Sequence, residues 1–325
     1  MATPGEKDPV SMLDSGAPTH RPDAGSQGAP GPGWQRASTS LRSQALPEFD
    51  LPAAPQRIDE LAPVAPGADC CRVHAPAGRF LLLCGSAALS LAFEATLFDL
   101  LAEARYPAPR PRRARSGSFI ALLGPHRAAA CYPLPAGEEI APAVASAPQL
   151  MEVGRLLARL HQLGETHPAA VADPCDAPAL LARCAEGGER DALEAAVRAP
   201  IQPLPTGAGH GGLTPGRALF IGDRCSAILP SGLSGSGPLS LDLAESAVGW
   251  LVGAPRPAAA LRAIVSGYQA LRRLSPEERD SFPPVLRLAA AREGARRMAT
   301  GRGRVLEALQ AVDAVGQAEI RAAAG

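Results

Sequence analysis

His210-Gly211-Gly212-Leu213-Thr214-Pro215-Gly216-Arg217, followed at once by Ala218-Leu219-Phe220-Ile221-Gly222, is the stretch on which the fold turns. Three glycines and a proline within eight residues oppose both helix and ladder, because glycine loses the most backbone entropy and proline has no N–H to donate. His210 to Arg217 is therefore a loop. Ala218-Leu219-Phe220-Ile221 and Cys225-Ser226-Ala227-Ile228-Leu229 are short apolar runs on either side of Gly222-Asp223-Arg224, which predicts a tight hairpin.

The hairpin is an island in a helical sequence. Before it, Leu150, Val153, Leu156, Leu157, Leu160 and Leu163 recur at spacings of three and four until Gly164 stops the run, and residues 174–199 carry a weaker helical pattern. After it, apolar helices are expected around 243–252, 261–271 and 285–298, with Ser275-Pro276-Glu277-Glu278 capping a short helical turn between the last two. Residues 305–320 read as a final helix. Further upstream the texture changes at the connector Pro133-Leu134-Pro135-Ala136-Gly137. Arg72-Val73-His74, the turn Ala75-Pro76-Ala77-Gly78 and Arg79-Phe80-Leu81-Leu82-Leu83-Cys84 predict a hairpin. A helix with Ser86 or Ser90 as N-cap and Phe93, Leu97, Leu100, Leu101 and Ala104 on one face follows, ended by Tyr106-Pro107. Phe119-Ile120-Ala121-Leu122-Leu123 and Ala128-Ala129-Ala130-Cys131-Tyr132 make a second strand pair around Gly124-Pro125.

The expected class is thus α+β: a small β-rich lobe over 67–134, a larger helical lobe over 135–300 interrupted by one hairpin, and a C-terminal helix over 301–325. Residues 1–66 are rich in Pro, Gly, Ser and Ala without an apolar period, and are expected to be a disordered extension with Trp34 and Phe49 as its candidate anchors. The 325 residues hold 32 Lys plus Arg against 32 Asp plus Glu, so no global field steers the chain toward nucleic acid or an anionic membrane. No apolar stretch is long enough to span a bilayer. Seven cysteines, an odd number without a C-x-x-C pair, point to a reduced, cytoplasmic protein, and the vicinal Cys70 and Cys71 to two buried thiols.

Local strings carry a resemblance to a known family. Ala75-Pro76-Ala77-Gly78-Arg79-Phe80, Pro107-Ala108-Pro109-Arg110-Pro111 and Leu156-Leu157-Ala158-Arg159-Leu160-His161 are similar to segments of homoserine kinases and aminoglycoside phosphotransferases. The stretches 210–222, 229–232 and 237–244 keep the spacing of that family's H-G-D-L-x-P-x-N-x-L-F-x-G, I-D-F-G and G-P-L-x-x-D-L-A strings. Gly267-Tyr268-Gln269-Ala270 with Leu274-Ser275-Pro276-Glu277-Glu278-Arg279 resembles a string typical of the homoserine kinases. The resemblance spans residues 66–300 and implies a protein-kinase-like two-lobe phosphotransferase fold, ATP as nucleotide and a small-molecule alcohol as acceptor.

The same resemblance places the proton acceptor and the two metal ligands at Gly212, Arg217 and Pro230. Phosphoryl transfer needs an acceptor for the substrate hydroxyl proton and hard oxygen ligands for Mg²⁺. Glycine and proline bring no side-chain oxygen, and Arg217 brings a fixed positive charge where a dication would sit. ATP therefore stays implied while Mg²⁺ is left without ligands, and no metal-ligating residue is assigned. Leu83 stands where the phosphate-gripping basic residue would fall. Glu94 is the candidate for its helix carboxylate partner, with Cys131 and Tyr132 beside the nucleotide space. His210 is expected to shape the loop, Asp223 to form a turn, and Asp242 to favour a helix N-terminus. Arg217 is alternatively a partner for a nucleotide phosphate without metal. His210-Gly211-Gly212 also matches an esterase oxyanion string, but Gly232-Leu233-Ser234-Gly235-Ser236 misses the last glycine of a nucleophile elbow. Two functions remain: a kinase-fold binding or interaction module without normal phosphotransfer, or an active small-molecule kinase with relocated metal ligands.

Overall fold

The computed structural model describes residues 44–51, 55–61, 68–85, 88–167, 177–182, 184–198 and 203–325. Five antiparallel strands build the smaller lobe: β1 (Arg57–Leu61), β2 (Asp69–Ala75), β3 (Gly78–Gly85), β4 (Ile120–Leu122) and β5 (Ala128–Pro133), in the spatial order β1-β2-β3-β5-β4. The alternation of the strands decides which residues meet which layer. Cys70, Leu81, Leu83, Ala130 and Tyr132 face the larger lobe and helix α1 (Ala88–Glu103). Cys71, Val73, Phe80, Leu82, Cys84 and Cys131 face the other way and form a separate apolar layer.

At residues 44–51 and 55–61 that outer layer shows packed structure where the expectation for 1–66 was disorder. A helical turn at Leu46–Glu48 and the fully buried Phe49 cover it, and β1 adds an edge strand paired from Arg57↔His74 to Leu61↔Cys70. The segment lacks an apolar period of its own because its few apolar side chains are spent on a face that the sheet supplies. Trp34 lies outside the described residues, as does Ser86. Ser90 sits inside the first turn of α1 rather than capping it.

In the larger lobe, α2 (Ala147–Gly164) starts at Ser146, whose side chain accepts from the Gln149 N–H while the Gln149 side chain returns to the Ser146 N–H. It packs on α6 (Pro257–Gln269) at van der Waals closeness: a Cβ on Gly154 would overlap the Ile264 carbonyl, and one on Gly267 the Met151 carbonyl. The weakly patterned region holds α3 (Ala177–Ala182) and α4 (Gly188–Val197). Strands β7 (Thr206–Gly209) and β10 (Gly235–Pro238) pair with each other. The expected hairpin is β8 (Ala218–Ile221) with β9 (Arg224–Ile228), joined on its edge by β6 (Glu138–Glu139) from the connector. Helix α5 (Leu239–Leu251) follows.

Two helix boundaries differ from expectation. The capping turn at Ser275 runs without a break into one helix, α7 (Pro276–Ala299), with Pro283 and Pro284 inside it. The C-terminal helix is two, α8 (Glu307–Val315) and α9 (Gln317–Ala324), hinged at Gly316, whose φ of 80° a non-glycine residue would adopt only with strain. Both pack on the larger lobe and belong to its core, so residues 301–325 are not a separate unit. Among the described residues, no helix is long and apolar enough to cross a membrane.

Candidate functional site

The loop leaving β7 is held from below by one carboxylate. Asp242, in the first turn of α5, accepts the N–H of His210 at 2.7 Å, of Gly211 at 2.8 Å and of Gly212 at 3.0 Å. Its fourth partner is the His161 ring nitrogen Nε2 at 2.9 Å. The other His161 nitrogen lies 2.7 Å from the Tyr268 hydroxyl, which in turn accepts from Arg272, and Arg272 donates to the buried Glu278. Burial alone would raise the Asp242 pKa, but the hydrogen bond and charge of His161, with the nearby His210, bring it down to about 2. Asp242 is thus more than a helix-dipole residue. Ser246 and Trp250, farther along α5, fix Leu213: the Ser246 Oγ accepts its N–H and the Trp250 ring N–H donates to its carbonyl.

A second carboxylate holds the loop after β9. Glu94 of α1 is fully buried, and its Oε2 accepts from the N–H groups of Ser231 at 3.0 Å and Gly232 at 2.9 Å and from the Ser234 hydroxyl at 2.7 Å. Ser231 and Ser234 also reach the His210 carbonyl, at 2.5 Å and 3.0 Å. His210 approaches the Leu229 carbonyl through Nε2 at 2.9 Å, and burial lowers its pKa, so the ring is neutral at pH 7. Leu83, at the position that the family resemblance gives to a basic partner for Glu94, is buried in register with Ala130. With no cation there, the second oxygen of Glu94 has no partner among the described residues.

Between the lobes lies a cavity of about 410 Å³, lined by Gly211, Gly212, Thr214, Arg217, Ser231 and a group of charged side chains. Gly212 and Arg217 thus share one space, with the residue that follows Pro230 on its wall. Gly212 holds a φ of 101°, a backbone conformation that only glycine adopts freely. Among the described residues, no cluster of three or more His, Cys, Asp or Glu side chains is arranged to hold a metal. Of the nearby carboxylates, Asp242 holds the first loop with both oxygens and Glu94 the second with one, while Glu245 pairs with Arg292 at 2.7 Å and Arg296 at 3.2 Å.

Of the candidate nucleotide residues, Cys131 points into the outer layer away from the cavity, and burial pushes its thiol up to about 12. Tyr132 is on the inner face but fully buried, edge-on to Phe98 with ring centroids 5.6 Å apart. Neither touches open space. The connector offers no free N–H to a base over 133–135, since two of its residues are proline and Leu134 donates to the Arg79 carbonyl. A second cavity of about 330 Å³ borders Leu134 and Leu219 but is otherwise walled largely by charged residues, including Asp59, Arg72, His74, Arg79, Glu138 and Glu139. Arg72 and Glu139, which line both cavities, are ion-paired between them.

A two-lobed fold with a helical-lobe hairpin and a loop clamped beneath the interlobe cavity defines a kinase-like phosphotransferase scaffold. The chain belongs to the phosphotransferase enzyme family, whose model matches residues 71–278. It is 31% identical over 214 residues to the homoserine kinase of Acidiphilium cryptum, covering 60% of this chain and 65% of that protein, so it spans just under two thirds of that relative's length. Its fold is similar to amicoumacin kinase solved with AMP-PNP, Ca²⁺ and Ami, at a TM-score of 0.62 and 12% identity, covering 83% and 88% of the two chains. It is also similar to an aminoglycoside phosphotransferase of Alicyclobacillus acidocaldarius, at 0.55 and 16%, covering 84% and 91%.

Proposed function

We propose that this chain is a kinase-fold binding protein that has lost normal phosphotransfer and keeps its interlobe cavity for a small molecule. The observation that carries this is the composition of the loop wall: Gly212, Arg217 and Pro230 stand where the family resemblance puts a proton acceptor and two metal ligands, and the carboxylates nearest them, Asp242, Glu94 and Glu245, are engaged with the loops or with arginines. Stabilising charge on the transferring phosphoryl group is the main catalytic term in this chemistry, and here the fixed charge is arginine rather than a bound dication. Buried thiols on both faces of the sheet suit a reducing, cytoplasmic setting.

The purified chain, given Mg-ATP and homoserine, is expected to form no ADP above background. Turnover of about 1 s⁻¹ or faster, the ordinary enzyme range, would refute the reading. The likeness to homoserine kinases favours a second reading, an active kinase acting on a hydroxyl such as that of homoserine. Thermal stabilisation by ATP that requires Mg²⁺ would favour it, because a ligand raises stability only through the state it binds.

A further inference from the structure

We propose that the interlobe cavity is a metal-free site for a phosphate monoester of a small molecule, held by Arg217 and Arg302. The inference rests on the reading of the cavity as a binding site without phosphotransfer. Its starting point is a charge left over. Five arginines and three glutamates line the cavity, Arg72, Arg217, Arg296, Arg297 and Arg302 against Glu139, Glu245 and Glu293. The glutamates are spent on other arginines: Glu139 on Arg72, Glu245 on Arg292 and Arg296, Glu293 on Arg296 and Arg297.

Arg217 and Arg302 remain. Arg217 is 8% exposed, and the one partner of its guanidinium among the described residues is the Cys70 thiol at 3.8 Å. A thiol is a weak acceptor, so a buried cation stands without a carboxylate partner among the described residues, an arrangement that costs free energy unless an anion completes it. Arg302, on the turn after α7, makes no side-chain hydrogen bond or ion pair with a described residue. Desolvation lowers its pKa and Glu293 partly restores it, while repulsion from Arg297, Arg217 and Arg296 lowers it further. A buried guanidinium at Arg217 and an exposed one at Arg302, neither hydrogen-bonded to a carboxylate among the described residues, line one cavity and match a dianion, and their forked donors suit phosphate oxygens.

The space selects among phosphates. The Arg72–Glu139 ion pair stands between this cavity and the one under the connector, and the connector has no free N–H over 133–135. A nucleotide reaching from connector to loop would have to displace that pair, whereas a small phosphate monoester fits within about 410 Å³.

The test is calorimetric titration of the full chain with O-phosphoserine, inorganic phosphate and ATP, all in EDTA. O-phosphoserine and phosphate are expected to bind, with serine as a silent control. Arg302→Gln, on an exposed turn, and Arg217→Met are each expected to weaken O-phosphoserine at least about ten-fold, as loss of a charge-assisted contact does. If Arg217→Met does not fold, Arg302→Gln decides alone. No binding at millimolar phosphate, or unchanged affinity in the folded variants, overturns the site. ATP binding far more tightly than O-phosphoserine overturns the assignment to a small monoester. ADP formation from Mg-ATP would instead strike the reading beneath it. The two failures are read from different assays.

Discussion

Replacing Asp242 by asparagine tests the central claim about the loop, that one carboxylate carries its backbone. The substitution keeps the volume but turns one acceptor oxygen into a donor. Oδ1 serves Gly211 and Gly212, and Oδ2 serves His210 and His161, so whichever way the amide turns, two donors lose their acceptor and face another N–H. Bonds to a buried charge contribute about 1.5–3 kcal/mol each and do not add fully, so the variant should lose about 3 kcal/mol in urea unfolding. The pH profile gives an independent reading. The folded pKa of about 2 lies below the ordinary aspartate value of 3.8, so this group's stabilisation is fully present above pH 3.8 and is lost as pH falls through about 2. The difference corresponds to about 2 kcal/mol at the conversion of 1.36 kcal/mol per unit. Asp242→Asn should lack that component of the acid dependence. A variant within about 0.5 kcal/mol of the parent, with the same acid profile, would refute the reasoning.

Other perturbations follow from the same contacts. Gly212→Asp, which returns the family's acceptor, should form no ADP and should destabilise the chain by about 1–2 kcal/mol, because a side chain at φ 101° is strained; measurable turnover would count against the assignment of the loop. Phe49→Ala should cost about 3–4 kcal/mol in chemical unfolding, since the ring is fully buried on the outer layer of the sheet; a loss below about 1 kcal/mol would mean that the segment does not stay docked. Gly154→Ala should cost about 2–3 kcal/mol by forcing α2 off α6, and an unchanged midpoint would contradict their close approach. Burial pushes Cys84, Cys131 and Cys225 up to about 12, so at pH 8 iodoacetamide should spare them and label the half-buried Cys184 first among the described cysteines; mass spectrometry reads the order.

The scaffold was legible where a side chain's period or a turn's chemistry acts locally. The hairpin around Gly222-Asp223, the capping turn at Ser275 and the apolar stripe from Leu150 to Leu163 each declare themselves within a few residues. Asp242 and His161 were visible too, since each belongs to a string that resembles the family, but nothing in the sequence says that the two strings meet. That meeting is tertiary: 81 positions separate the residues. The strand Arg57–Leu61 was missed for a related reason, because an edge strand borrows its hydrogen bonds and its apolar cover from a sheet elsewhere in the chain. Arg302 was not readable as a site residue at all. Its place on the cavity depends on how α7 ends beside the loop.

How the loop keeps its shape follows from how its two halves are joined. Asp242 grips 210–212 through backbone N–H groups, and Glu94 grips 231–234 through two N–H groups and a hydroxyl. The hydroxyls of Ser231 and Ser234 reach the His210 carbonyl, which ties one half to the other. The backbone donors of this knot find protein acceptors, while the second Glu94 oxygen and His210 Nδ1 are buried without a partner among the described residues. Glu94, with Leu83 in place of a basic partner, serves the loop. Arg217 is then presented to the cavity by a rigid wall. A guanidinium fixed in this way is pre-organised for an anion, because little of its freedom remains to be lost on binding.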